Sequence, residues 1–307
     1  MTDKAFFSID ASRSVAAVEG EDRQTFLQGL ISNDTRRASA ERAIYSAFLT
    51  PQGKFLHEFT LVEQASAQRY LLDPEADRAA DLVKRLSMYR LRSKVKVQAL
   101  GEDWSVAVFF GDAALARLGL PAQAGTAKAF GSGVVFVDPR LTGLGARAFL
   151  PRSEVPRLAA ELGFETAAMQ AYDRLRIRLG VPSGSRDLTP EKAILLENGF
   201  EELAAIDWDK GCYMGQELTA RTRYRGLVRK RLLPVEIEGP MPAAGTALML
   251  GDVEAGEMRS GAATGDLGLA MIRLEHLDRA KASGLTAGES RLRPFVPEWM
   301  RLPEQVG

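Results

Sequence analysis

Apolar residues fall in short runs along this chain, and turn-forming residues separate them. Ile44–Leu49 and Phe55–Val62 flank Pro51-Gln52-Gly53, which predicts a hairpin, with Gln68–Leu72 as a third neighbouring strand. Ser14–Val18 reads as an earlier strand, and Glu21–Leu30 as a short helix packing Phe26, Leu27 and Leu30. Asp73-Pro74 supplies a cap and a first-turn proline for a helix through about Met88. Val95–Leu100, Ser105–Phe110 and Gly133–Val137 read as further strands, with a helix near Asp112–Leu118. Ser153–Leu162 and Thr166–Leu179 read as helices, and Thr189-Pro190 starts another through roughly Glu197.

After Arg231 the texture changes. Leu232–Ile237, Thr246–Leu250, Val253–Glu257 and Leu267–Arg273 are short strands separated by Gly, Pro and Asp clusters. That pattern predicts a separate all-β unit, a small barrel over 232–307, after a mixed α+β region over 1–231.

At 307 residues the chain can bury a large core in more than one domain. No apolar run approaches the roughly 18–20 residues of a membrane span. Met1-Thr-Asp-Lys-Ala-Phe-Phe lacks the apolar core of a signal peptide and the Arg-rich pattern of a transit peptide. The single cysteine excludes an internal disulfide framework and fits a reducing, cytoplasmic setting. It also excludes a cluster held by this chain's own thiols, because such clusters take about four. His57 and His276 lie far apart without metal-ligand spacing, so no stably bound metal is expected.

Formal net charge is zero, which confines any attraction to nucleic acid to local patches. Lys84–Lys96 is one such patch. Arg221–Arg231, with Tyr224 interleaved, is the other. A solvated face is the commoner meaning of such runs, and direct tRNA binding the less common one.

The chemistry concentrates in Lys210-Gly-Cys-Tyr-Met-Gly-Gln-Glu217, which holds the only thiol. Lys210 would favour the thiolate of Cys212, and Gly211 and Gly215 would let the backbone turn tightly around it. The plainer alternative is a buried Cys212 acting as a small apolar side chain. Gln216 and Glu217 need hydrogen-bond partners or a ligand beside that thiol. Arg221 would pair with Glu217 along an extended segment. Asn33 and Asp34 read as a turn.

Lys210–Arg221 closely resembles the signature of the YgfZ family of folate-binding proteins, a family that includes mitochondrial iron–sulfur assembly factors. Phe26-Leu-Gln-Gly-Leu-Ile-Ser-Asn-Asp34, Phe48–Lys54, Tyr89–Val95, Gly180-Val-Pro182 and Gly268–Arg273 resemble the family in the same order. The resemblance implies the fold of the glycine-cleavage T-protein, an aminomethyltransferase. That fold is a ring of mixed α/β lobes around a folate pocket, followed by a C-terminal β-barrel. It further implies tetrahydrofolate or another reduced folate as cofactor, with Arg13, Asn33, Glu58, Tyr172, Gln216, Glu217 and Arg221 as contacts. Arg13 and Tyr172 stand where bacterial members carry tryptophans.

The implied function is assembly or repair of [4Fe–4S] clusters in client enzymes, including radical enzymes of tRNA modification. Cys212 would act as a transient iron–sulfur ligand or redox group, beside the assembly machinery or a client. Such a protein is an accessory factor more than an enzyme. The competing expectation is a tetrahydrofolate-dependent one-carbon transferase. T-proteins carry a catalytic aspartate pair after the hairpin turn, where this chain has His57 and Glu58, and Thr142–Ala148 lacks their acidic folate contact.

Overall fold

The structure is a computed structural model describing residues 4–303. The chain forms two compact units. The first takes in residues through Leu49, Leu56–Met169 and Leu203–Met214. The second takes in Thr50–Phe55, Gln170–Glu202 and the residues from Gly215 onward.

The first unit is built on two sheets. A five-stranded sheet runs in the order Ile44–Leu49, Phe55–Gln64, Arg69–Leu72, Ala16–Glu19, Lys96–Ala99. A six-stranded sheet runs Glu165–Thr166, Phe6–Ile9, Trp104–Phe110, Ala146–Pro151, Gly133–Val137, Ala127–Phe130. Side chains alternate across each strand, so each sheet buries both faces. Val15, Ala17, Val62 and Leu71 of the first sheet meet Val106, Phe136 and Phe149 of the second in one shared core. The outer face of the five-stranded sheet packs Phe59, Leu61 and Leu72 against Phe26 and Leu27 of helix Arg23–Gln28 and Leu82 and Leu86 of helix Ala79–Met88. The outer face of the other sheet meets helix Val155–Glu161 through Val155 and Ala159. Helix, sheet, sheet, helix is the layer order that this patterning dictates.

Two details depart from expectation. The helix expected from Asp73 begins only at Ala79, after a 3-10 turn over Ala76–Arg78. Asp73 caps nothing there, because its Oδ1 accepts from the Thr60 amide (2.6 Å) and hydroxyl (2.7 Å). Phe6–Ile9, Ala127–Phe130 and Ala146–Pro151 are strands that the sequence reading did not pick out.

The second unit contains the closed barrel, with strands in the order Lys230–Glu238, Leu267–Arg273, Val253–Gly261, Ala247–Leu250, Leu285–Ala287, Ser290–Pro294. The last two strands close it and were missed in the sequence, because Arg291 and Arg293 alternate with inward Leu292 in a very short hairpin. The barrel's first strand begins at Lys230, and the unit reaches beyond the barrel to include Gln170–Glu202. Asp187 ties these parts together, accepting from Arg176 (2.8 Å), from the Ser183 amide (2.7 Å) and from the Ser260 hydroxyl. The helix expected over 189–197 is instead a turn followed by a 3-10 segment, Leu195–Asn198. There the backbone of Glu191 and Ala193 bonds to Phe55 rather than continuing a helix.

Candidate functional site

Two motifs nearly 180 residues apart in sequence are stapled together in the first unit. Lys210 is buried, and its Nζ donates to the carbonyls of Gln28 (2.8 Å), Ile31 (2.7 Å) and Asn33 (2.8 Å). An ammonium has three donors, so all three are engaged. Burial pulls the Lys210 pKa down to about 8, against the opposing charges of Asp34 and Asp207. At pH 7 the staple therefore remains charged. Asp207 forms the matching anchor. Its Oδ1 accepts from the amides of Asp209 (2.8 Å) and Lys210 (3.1 Å), its Oδ2 meets Arg37 at 2.9 Å, and its own amide donates to Ser32. Asn33 Nδ2 donates to the carbonyls of Tyr45 (2.7 Å) and Ala204 (2.8 Å), and the Met214 amide donates to Gly29 (3.0 Å).

Between these anchored ends the chain passes through Gly211 and Cys212, both exposed. Cys212 is thus not a core residue. The structure also revises the role expected for Lys210, whose donors hold backbone carbonyls and leave none for the thiol. Asp34, expected in a turn, caps the 3-10 turn Thr35–Arg37 and takes two bonds from the Arg36 side chain at 3.0 and 2.5 Å. The Arg36 bonds hold its pKa down at about 2.

In the second unit, Gln216–Tyr224 is a helix whose N-cap, Gly215, has φ 81°. The extended conformation expected for Glu217 and Arg221 is therefore corrected: they stand four apart on a helix, both exposed, and no ion pair joins them among the described residues. Gly53, at the hairpin turn, has φ 81°, and a Cβ there would lie 2.6 Å from the Gly215 carbonyl and from Leu218 Cβ. Only glycine fits that approach. Tyr172 is buried within helix Met169–Arg178.

His57 and Glu58 are neighbours on one strand and so face opposite sides of the sheet. They cannot work as a pair on one reacting group. Glu58 points between the two sheets, where Arg13 Nη1 reaches its Oε1 at 2.5 Å. Burial alone would raise the Glu58 pKa, but Arg13 outweighs it and holds the carboxylate below its ordinary range. The pair begins a buried chain of alternating charge. Arg13 lies 3.6 Å from Asp73, Arg147 bridges Asp73 and Asp138 at 2.9 Å each, and Arg140 meets Asp138 at 2.7 Å. The sequence reading found only its first two members. The legible signal for the rest was a polar Arg147 between Ala146 and Ala148, at an inward strand position.

His57 points to the outer face, with Nε2 2.9 Å from Asp81 and its ring stacked on Phe48. Burial, with help from Arg78, lowers its pKa from 6.5 to about 4 despite Asp81. The folded protein then carries neutral His57 where the unfolded chain is protonated. Stability from this group is complete above pH 6.5 and is lost as pH falls towards 4, at most about 3 kcal/mol. Urea unfolding at pH 7 and pH 4.5 should show that loss, and His57→Gln should remove its share of the difference. An identical pH dependence in the variant would contradict the depressed pKa.

A reduced folate fits the expected residues in part. Arg13 and Glu58 hydrogen-bond each other and the Asn33 amide nitrogen is taken by carbonyls, whereas Glu217 and Arg221 are open to solvent. Chemically, the stapled loop offers one exposed thiol able to ligate a soft metal or to exchange with another thiol.

Across 96% of its length the chain is 33% identical to the human mitochondrial iron–sulfur cluster assembly factor IBA57, covering 85% of that protein. The chain belongs to the IBA57 family. The mouse mitochondrial IBA57 is 32% identical over 95% of the chain and 84% of its own length. Residues 229–302 match the CAF17 C-terminal beta-barrel domain, which is the closed barrel described above. The crystal structure of the glycine cleavage system aminomethyltransferase T from Bartonella henselae superposes with a TM-score of 0.77. That superposition covers 97% of this chain and 86% of the other at 17% identity. The fold is thus the T-protein fold, as the sequence implied, and the barrel strand Lys230–Glu238 opens the matched family domain.

Proposed function

We propose that this protein is an accessory factor for assembly or repair of [4Fe–4S] clusters in client enzymes, with Cys212 as its working group and a reduced folate as its cofactor. The observation that carries the reading is the exposure of the only thiol on a loop anchored at both ends, in a chain of the IBA57 family. One thiolate cannot complete a cluster's ligand set of about four, so the remaining ligands come from the assembly machinery or the client. Radical enzymes that modify tRNA are among the proposed clients. Of the expected folate contacts, Glu217 and Arg221 are exposed, which supports their meeting the ligand from solvent.

The one-carbon transferase reading, with Glu58 or His57 as its base, loses support at Glu58. As the base, Glu58 would have to be free to take a proton, and Arg13 holds it as a buried carboxylate. The test is rescue of a host deleted for this gene, reading aconitase activity under oxidative stress. Wild-type protein should restore activity, and Cys212→Ala at equal abundance should not. Equal rescue by both would remove the thiol from the proposal, and an undamaged deletion host would remove the cluster role.

A further inference from the structure

In the second unit, the end of helix Gln216–Tyr224, the loop after it and the start of strand Lys230–Glu238 carry six basic residues, and the structure sorts them into two sets. Arg223 pairs with Glu201 (3.0 Å), Lys230 with Glu197 (3.7 Å) and Arg231 with Glu202. Among the described residues, Arg221, Arg225 and Arg229 have no ion-pair partner, and all three are exposed. Beside them Tyr224 is 82% and Leu227 42% exposed, two of the few large apolar side chains left in solvent.

Thr222, Arg223, Gly226 and Val228 of the same stretch line a cleft of about 520 Å³. Trp299, Leu302 and the buried Arg231–Glu202 pair also line it. That pair is incompletely satisfied. Arg231 uses Nη1 on the Leu196 carbonyl (2.8 Å) and Nη2 on Glu202. Its Nε and the Glu202 Oε2 are buried without a partner. Unpaired buried donors and acceptors are costly, and these two lie within residues that line the cleft.

We propose that this surface docks an acidic, extended segment of a partner protein. Carboxylates of the segment meet Arg221, Arg225 and Arg229, and an apolar side chain enters the cleft beside Val228 and Trp299. Exposed Tyr and Arg around a partly apolar pocket is the composition of interface hot spots. Nucleic acid fits less well. Three carboxylates already neutralise half of the basic run, so three guanidinium groups without an ion-pair partner among the described residues remain, a short patch for a continuous polyphosphate backbone. The proposal is independent of the role of Cys212.

The probe is a short fluorescein-labelled peptide of repeating Glu-Leu-Asp triplets, titrated by fluorescence anisotropy without folate. Wild-type protein should bind it, and Arg225→Glu/Arg229→Glu should weaken binding by at least about tenfold. Tyr224→Ala/Leu227→Ala should weaken it by about five- to tenfold. All four sites are exposed, so thermal melts of the variants should match wild type. The same peptide with its leucines replaced by glutamate should bind more weakly. Four results would overturn the proposal: no binding, equal affinity for the all-acidic peptide, tighter binding of an RNA hairpin, or wild-type self-association that the double apolar variant abolishes.

Discussion

Replacing Arg147 by methionine should cost about 3–5 kcal/mol of stability, the largest loss expected from a single substitution at the buried charges. Arg147 stands on an inward position of strand Ala146–Pro151, 5% exposed, and links Asp73 to Asp138. The chain Glu58–Arg13–Asp73–Arg147–Asp138–Arg140 holds three acids and three bases, so it is neutral as it stands. Methionine would keep most of the side chain's volume yet leave one negative charge uncompensated between the sheets. Asp138 would keep Arg140, and Asp73 would keep Thr60, but neither could recover water. The melting temperature should fall on the order of 10 °C. Adding Asp73→Asn restores neutrality and leaves an acceptor for Thr60, so the double variant should be more stable than Arg147→Met by about 1–2 kcal/mol. Chemical denaturation of wild type, both single variants and the double variant measures that coupling. A loss below about 1 kcal/mol, with no recovery in the double variant, would mean that water reaches this chain and that it does not hold the sheets together.

Why this chain of charge escaped sequence reading is instructive. In the sequence Glu58 and Arg13 stand out only singly, each as an expected ligand contact. Their partnership is a tertiary fact, since 45 residues separate them and no local pattern encodes it. Hairpin, helices and barrel were legible because turn chemistry and short apolar runs are local. The Thr50–Lys54 turn appears where Pro51-Gln52-Gly53 placed it, closed by a Thr50 amide to Lys54 carbonyl bond of 2.8 Å. Helix Gln216–Tyr224 was not legible, because Thr219, Thr222 and four charged or amide side chains give it little helical signature. Its start depends on Gly215 in a left-handed conformation. Asp207 went unnoticed although Asp-x-Asp-Lys is a plausible side-chain-to-backbone turn, and the structure uses it as one. The motif around Cys212 was legible as important. What the lysine in it does required knowing which three carbonyls lie within its reach.

Lys210→Met should therefore behave as a loss of architecture. Removing the ammonium leaves the carbonyls of Gln28, Ile31 and Asn33 without their shared donor. A buried acceptor left unpaired costs about 1–3 kcal/mol, and the relief of no longer burying a charge offsets part of the sum. A net loss of about 2–4 kcal/mol is expected. Arginine should not rescue it, because a planar fork cannot replace a compact ammonium whose donors converge on three carbonyls. Hydrogen exchange localises the effect. Amides in 28–34 and 207–214 should exchange faster in the variant, whereas those of the barrel strand Leu267–Arg273 should change less. Alkylation of Cys212 separates the two roles. If Lys210 chiefly activated the thiol, its loss would slow alkylation and leave exchange in both loops unchanged. As a staple, its loss speeds exchange in both loops without slowing alkylation, since Cys212 is exposed already. Cluster-assembly rescue should then fail through misplacement of the thiol, and Lys210→Met and Cys212→Ala combined should be no worse in rescue than Cys212→Ala alone.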